Sequence, residues 1–538
     1  MKSLIKTTLL LLVLLLPGTA VAYDFEVDSI YYNINGDVAT VTYGDDVWIK
    51  SSYYGDVNIP IKVTYNGNTY AVTAIDSYAF WCCGDLTSVT IPNSITTIGH
   101  DAFYGCSSMG SVTIPNSVTA IGYSAFYGCT SMTSVTIPNS VTVINSHTFS
   151  HCSGLTSLTI PNSVSTIGIG AFENCSGLSS VNIPNSVTAI GSRAFSHCSG
   201  LTSVTIPDDV TAIEYETFYQ CSSLTSVSIP NSVISIGECA FAGCSSIASV
   251  TIPKSVTTIG VAAFASCSGL TNLVVETGNR TYDSRNNCNA IIETASNTLI
   301  AGCQNTVIPN SVIAIGNSAF GGCSGMTNVT IPNSVTFIGN YAFSDCRGLT
   351  SVTIPNSIAT ISNGTFFGCT SLTDVTIPST VTSIGEWAFY GCCSLTSVAI
   401  GNSVSSIGEM AFADCNGLID VYSYITEPSI VARWENLFCV WLEDGDFDYS
   451  GRTLHVPNGT AAAYQASWSW YPYFGQIVED LIKGDVNFDM EVNIADVNTV
   501  IDIILEDNVA TPAADVNGDG EVNIADINTI INIILHGN

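Results

Sequence analysis

Two near-copies of one motif, DVNFDMEVNIAD from Asp485 and DVNGDGEVNIAD from Asp515, lie 30 residues apart near the end of this 538-residue chain. In each, oxygen-bearing side chains stand at loop positions 1, 3, 5, 9 and 12. These are Asp485, Asn487, Asp489, Asn493 and Asp496, then Asp515, Asn517, Asp519, Asn523 and Asp526. The position-7 residues, Glu491 and Glu521, would add their backbone carbonyls. Calcium takes about six to eight hard oxygen ligands from a tightly wound loop, and this spacing supplies them twice. A merely solvated acidic tail would run its carboxylates together, whereas here they are spaced and the spacing recurs. Two Ca2+ sites are therefore expected. The 515–526 loop should be the stronger, because Gly520 holds position 6, where a sharp turn with positive φ is needed, and Met490 holds it in the first loop.

No second set of chemistry-bearing residues converges in the same way. The six histidines are scattered, His455 and His536 have no evident nucleophile beside them, and there is no phosphate loop, HExxH or GxSxG. A glycosidase could draw acids from Glu435, Glu443, Asp444 and Asp446 in the Trp-rich segment 434–474. Those residues read better as an acidic loop over a cap in which Trp468 and Trp470 pack inward. The expectation is a protein that is not an enzyme. Asp and Glu outnumber Lys and Arg by 44 to 12, a net charge of −32, which excludes nucleic acid and anionic lipid as partners, since both need a basic patch.

The elements that position the two loops come next. Each loop runs into an amphipathic stretch, IADVNTVIDIIL or IADINTIINIIL, whose Val, Ile and Leu can face the other copy as helices. Upstream, one sentence recurs: LTSVTIPNSITTIGHDAFYGC and its variants. Proline falls at 92, 115, 138, 161, 184, 207, 230 and 253, every step 23 residues, then at 309, 332, 355 and 378, with Gly401 in the next place. Fourteen Phe residues from Phe80 to Phe412 share the register. A fixed period in this range marks a leucine-rich solenoid, in which each turn buries itself against its neighbours. Within a turn, L-x-x-V-x-I reads as a half-buried strand, as at Leu201, Val204 and Ile206. Pro leaves the sheet, V-T-x-I-G forms a second extended piece with Gly at the corner, and A-F-x-x-C reads as a short helical turn. The fold class expected is thus a β-rich leucine-rich-repeat right-handed coil of 23-residue period, followed by a small α-helical calcium module.

The register also divides the chain. Residues 23–79 lack it and read as a β-rich N-terminal cap; 80–415 are the repeats; 416–480 should close the other end with a last enlarged rung; 483–538 form the calcium module. A surplus at 271–305 reads as one enlarged turn carrying a β-hairpin. Fourteen of the 20 cysteines, Cys83 to Cys415, stand three residues after each Phe and should form an internal column of buried thiols. Neighbours about 4.8 Å apart and parallel are poorly placed for a disulfide, whose Cβ atoms sit about 3.8 Å apart. Cys288 and Cys303 are the pair best placed to bridge. Residues 1–22 carry Lys2 and Lys6, an apolar run from Leu9 to Leu16 and an Ala20-Val21-Ala22 cleavage pattern, a secretory signal peptide. Secretion, with a cell-surface association and no membrane insertion, is the expected location.

Residues of about 80–415, with IPNSVTxIGxxAFxGCSGLTSV, closely resemble the BspA-type leucine-rich repeats of bacterial surface proteins. Residues of about 484–538, with paired DxNxDxxxNxxD loops each followed by one helix, look like a type I dockerin. The first resemblance implies adhesion or protein binding, to an extracellular protein or a host-surface ligand. The second implies that calcium organises the module and that a cohesin-like receptor binds 483–538. Dockerins of enzyme assemblies often carry hydroxyl residues at loop positions 10 and 11; here Ile494-Ala495 and Ile524-Ala525 make that surface apolar. The strand face of the repeats is a near-constant hydroxyl ladder. Variation gathers beside the Phe, at His100, Asp101, Tyr104, Tyr123, Tyr127, His147, Arg193, Tyr215, Glu216, Tyr219, Tyr341, Trp387 and Tyr390. Tyr, Trp and Arg are the side chains that dominate binding hot spots, so this outer stripe either carries the specificity of the repeats or is a solvated face left to drift. Two readings stand: an interaction solenoid with a calcium-dependent docking tail, or a structural spacer held in an extracellular, polysaccharide-degrading complex, with an accessory role to a glycoside hydrolase as a lesser variant.

Overall fold

The computed structural model describes residues 23–44, 52–430, 437–439, 451–467, 470, 473–487, 491–505 and 511–536. Residues 1–22, expected from the sequence to be a signal peptide, and Glu435, Glu443, Asp444, Asp446, Trp468, Asp489 and Met490 lie outside them. Two compact units follow one another in the chain, the first ending at Leu201 and the second starting at Thr202. Among the described residues no helix is long and apolar enough to cross a membrane.

One turn shows how the sequence builds the ladder. In the rung after Cys129, Met132, Val135 and Ile137 are buried while Ser134 and Thr136 face solvent. Strand Ser134–Thr136 pairs in register and in parallel with Ser111–Thr113 on one side and Ser157–Thr159 on the other. After Pro138 the chain turns, and Val143–Ile144 pairs in parallel with Thr166–Ile167. Each rung thus contributes one strand to each of two parallel ladders, and Val141, Ile144, Phe149 and Cys152 fill the space between them.

The A-F-x-x-C stretch is not helical, which corrects the sequence reading. The backbone enters the left-handed region two residues before and two residues after every Phe, as at Asp101 (φ 53) and Gly105 (φ 70), or Tyr341 (φ 55) and Asp345 (φ 53). This alternation aims every second N–H at the next rung: Asp101, Phe103 and Gly105 donate to the carbonyls of Tyr123, Ala125 and Tyr127 at 2.9, 2.7 and 2.7 Å. The intervening N–H groups of Tyr104 and Cys106 donate within the rung, to Asp101 and Phe103. A helix would close all of these bonds locally and leave the rungs unlinked along this side. The corner glycine also acts differently from the expectation. Gly122 has no left-handed backbone, but a Cβ on it would come within 2.5 Å of the Gly99 carbonyl carbon. Close approach between rungs, rather than a turn angle, selects glycine there.

The buried Phe rings stack nearly parallel, with centroids 4.8 Å apart for Phe80–Phe103 and 5.4 Å for Phe126–Phe149. Tyr53, from the N-terminal cap, heads this column 4.4 Å from Phe80. The cap closes both ladders: Gly55–Asn58 pairs with Leu86–Thr90, and Asn68–Ile75 pairs with Thr97–Ile98. In the second unit, Phe412 stacks on Phe438 at 5.4 Å, and Trp470 and Phe474 close over that ring. Thr453–Pro457 and Gln476–Leu481 extend one ladder beyond Asp420–Ser423. Ala290–Glu293 and Thr298–Gly302 form an antiparallel hairpin, whose second strand rejoins the parallel ladder at Ala314–Ile315.

All 20 cysteines are free thiols. Most buried Sγ atoms in the column donate to the Phe carbonyl of the preceding rung, as Cys106 to Phe80 at 3.1 Å and Cys346 to Phe320 at 3.2 Å, while Cys83 donates to Trp81 and Cys323 to Gly302. Cys288 and Cys303 do not pair, contrary to the expectation; their thiols donate separately to the carbonyls of Ala290 and Asn289. Burial pushes the Cys198 and Cys267 thiols up to about 12.

Two outcomes follow from this core. Phe126→Ala should remove about 3–5 kcal/mol, read as lost hydrogen-exchange protection in the adjoining rungs. The unfolded chain ionises its thiols near pH 8.5 while the folded chain does not. Stability is therefore retained in full below that pH and should fall as pH rises from about 8.5 towards 12, measured as the urea midpoint across that range.

Candidate metal centre

The tail is built as two loop–helix copies around a shared apolar core. Helices Ile494–Leu505 and Ile524–His536 bring Val497, Val500 and Ile530 together with Val486, Ala514 and Val516. Each loop is closed across its base by its last aspartate. Asp496 accepts N–H bonds from Val486 and Asn487 on one oxygen and from Asn493 on the other. Asp526 repeats this with Asn517 at 3.1 Å and Asn523 at 2.9 Å. Both aspartates are fully buried. Asn493 and Asn523 cap the helices by accepting from the N–H groups of Ala495 and Ala525, each at 2.8 Å.

The second loop is described in full. Asp515 lies at its centre and accepts from the N–H groups of Gly518, Asp519 and Gly520 at 2.8, 3.1 and 2.9 Å. Gly518 (φ 76) and Gly520 (φ 88) supply the positive angles that wind the backbone around this carboxylate. Burial, with Asp526 and Asp519 adding their charge, raises the Asp515 carboxyl above the usual range, even though two of these N–H bonds pull it down. No cationic side chain pairs with Asp515, Asp519 or Asp526 among the described residues. Three carboxylates gathered on one wound loop without a counter-charge form a donor set that fits a hard divalent cation.

As they stand, the loop carboxylates are turned onto N–H groups, and no three acidic, histidine or thiol side chains converge on a point among the described residues. Asn517 donates to Asp519 at 2.9 Å, and Glu491 and Glu521 accept from Asn493 and Asn523. The first loop is described at Asp485, Asn487, Glu491, Asn493 and Asp496, with Asp489 outside. Residues at loop positions 10 point outward: Ile494 is 67% exposed and Ile524 is 70% exposed. With the exposed Leu505 and Leu535 they leave apolar surface on the helices uncovered.

The variable residues beside the Phe fall into columns. Asp101, His147, Arg193, Glu216, Tyr341 and Trp387 all occupy the left-handed position two residues before the Phe, where only Gly170 and Gly364 are glycine. Tyr104 and Tyr127 follow the Phe and stack face to face at 4.6 Å, while His100 stacks on Tyr123 at 4.9 Å. The sequence did not single out one cluster in the C-terminal cap. There His455 lies between two carboxylates, with Nδ1 2.6 Å from Asp480 and Nε2 3.2 Å from Asp420, and its ring stacks on Tyr422. The parallel register that sets Tyr422 beside His455 assembles it, and these residues lie 33 positions apart in the chain.

Residues 73–202, 190–298 and 299–419 match the BspA type leucine rich repeat region, in six copies. Residues 483–535 match the dockerin type I domain, a calcium-binding family. Among solved structures, a leucine-rich cell surface protein of Faecalibacterium prausnitzii is 30% identical, with 74% of this chain and 94% of that one covered and a TM-score of 0.48. A leucine-rich repeat protein of Bacteroides ovatus is 23% identical over 85% of this chain and all of its own, with a TM-score of 0.41. The pneumococcal vaccine antigen PcpA is 19% identical over 86% of this chain and all of its own, at a TM-score of 0.41. No curated protein matches the chain.

Removing the base carboxylate separates the two loops. Asp526→Ala should abolish one calcium-binding event and Asp496→Ala the other, with the tighter event belonging to the 515–526 loop, as read by titration calorimetry on the full chain.

Proposed function

We propose, from the premise that the chain belongs to the BspA-type leucine-rich repeat family, that it is an exported, non-catalytic interaction solenoid joined to a larger extracellular assembly through its calcium-organised tail. The observation that carries this reading is the tail itself. Two copies of one loop–helix unit share a core, and each copy offers an outward isoleucine, Ile494 or Ile524, at equivalent places. Calcium would be held by Asp485, Asn487, Asp489, Asn493 and Asp496 in one loop and by Asp515, Asn517, Asp519, Asn523 and Asp526 in the other, with the carbonyls of Glu491 and Glu521. It would fix the helices' starting points and therefore the spacing of the two isoleucines. A cohesin-like receptor is the partner class that the dockerin match supports.

The repeats would bind by their outer columns. A non-glycine residue in the left-handed region is disfavoured by about 1–2 kcal/mol, and backbone strain of this kind gathers where a side chain has a task. Twelve of the fourteen turns carry a non-glycine residue there. Cell-surface retention follows if the tail's receptor is itself surface-bound.

The test uses the full mature chain as bait against the native cell envelope and culture fluid, with calcium and with chelator. A partner lost on chelation and in Ile494→Asp/Ile524→Asp carries the docking reading; a partner retained in both would sink it. A second partner, independent of calcium and weakened at least about tenfold by Tyr104→Ala/Tyr127→Ala, would place recognition on the outer columns, whereas unchanged binding would remove it from them.

A further inference from the structure

Two rungs near the end of the ladder depart from their own repeat. At the strand exit the chain writes Pro-Asn-Ser in most rungs, as at 92–94, 115–117, 138–140 and 161–163, with Pro-Asp-Asp at 207–209 and Pro-Lys-Ser at 253–255. The rung at 378 writes Pro-Ser-Thr and the rung at 401 writes Gly-Asn-Ser. Ser379 is buried, although Asn93, Asn116, Asn139 and Asn162 at the same place are exposed. What covers it is the second calcium loop: Ser379 Oγ donates to the Gly520 carbonyl at 3.5 Å.

The neighbouring contacts follow one seam. Pro512 rests on Gly401, so closely that a Cβ at 401 would lie 3.4 Å from the proline's own Cβ. A Cβ on Gly518 would come within 2.9 Å of Asn402 Nδ2, and one on Gly520 would lie 3.4 Å from Ser403 Oγ. Bare backbone of the loop thus faces residues 401–403 one after another. The first loop could not take this place, because Phe488 and Met490 stand where the second has Gly518 and Gly520. The two departures in the ladder and the two glycines in the loop are complementary, and they are far apart in the chain.

We propose that Ser379 and Gly401–Ser403 form a receptor built for the chain's own second calcium loop, so that calcium bound by residues 515–526 latches the tail onto the last rungs. The receptor is uncharged, while the loop carries Asp515, Asp519, Glu521 and Asp526. Placing that many carboxylates against neutral hydroxyl and amide groups is favoured once a divalent ion offsets their charge. Calcium affinity and seating are then linked: whatever strengthens one strengthens the other by the same factor. The inference rests on calcium binding by this loop and not on any partner in trans, so failure of the docking experiment would leave it standing. The outward isoleucines Ile494 and Ile524 are exposed in the seated arrangement.

Gly401→Pro and Ser379→Asn, made together in the full mature chain, restore residues that other rungs already accommodate, and the ladder should keep its thermal stability. Hydrogen exchange and calcium titration read the latch. In the unaltered protein, calcium should add protection at 401–403 as well as at 512–520. In the double variant, protection at 402 and 403 should no longer respond to calcium, and one of the calcium events should weaken about tenfold while the other is unchanged. Protection at 401–403 that ignores calcium in the unaltered protein would overturn the proposal without recourse to any variant. So would a double variant whose calcium affinities both match the original.

Discussion

The rung-to-rung backbone hydrogen bond on the Phe side is the constraint from which the rest of the ladder follows. Two parallel strands per rung would satisfy the chain on two sides, but a third side must also be closed if no polar group is to be stranded in the interior. Alternating right- and left-handed residues solves this, because it turns every second N–H along the stacking direction while its neighbours bond locally. Once that bond fixes the rung separation, other features are favoured in most rungs. Glycine stands where the corner backbones nearly touch, planar rings fill a gap of about one ring spacing, and the thiols are small enough to reach the carbonyl behind them. The caps answer the same constraint, since each supplies a partner for an edge that would otherwise stay open.

That architecture separates the residues that specify the fold from those free to vary. The interior columns repeat almost without change, so they specify the fold and little else. The outer columns are held by the same backbone bonds but touch few interior atoms, and their chemistry ranges from Arg193 to Glu216 to Trp387. The tail follows another logic. Its two copies share their base aspartates and helix caps, yet differ at loop positions 4 and 6, and the copy with glycine at both is the one that meets the ladder. Likeness between the copies builds the module, and unlikeness orients it.

The repeat and the loops were legible because each is written many times, or twice, with the same spacing. Proline and phenylalanine in one register are enough to place the fourteen regular rungs, and the cysteine register placed the thiol column inside. The helical reading of A-F-x-x-C failed for a physical reason. Phe and Cys three residues apart face the core together in a helical turn and also in the alternating turn, and the residues that decide between them are mostly not glycine. Cys288 and Cys303 looked paired because both lie in the enlarged turn, but the hairpin gives each thiol a different carbonyl. The His455 cluster and the Ser379–Gly520 contact join residues far apart in the chain. For the second of these the traces in the sequence were a serine at 379 in the usual place of Asn and a glycine at 401 in the place of the register's proline.

Gly401 carries one last consequence. The features that the tail meets belong to particular rungs, whereas the bonds between rungs belong to no rung in particular. Whole units of 23 residues could be gained or lost upstream by unequal recombination between near-identical coding stretches, with the joins healed by the generic register. The terminal fitting would be inherited intact each time. A lineage could thereby adjust how far its outer columns extend while the fixture at the tail stays the same.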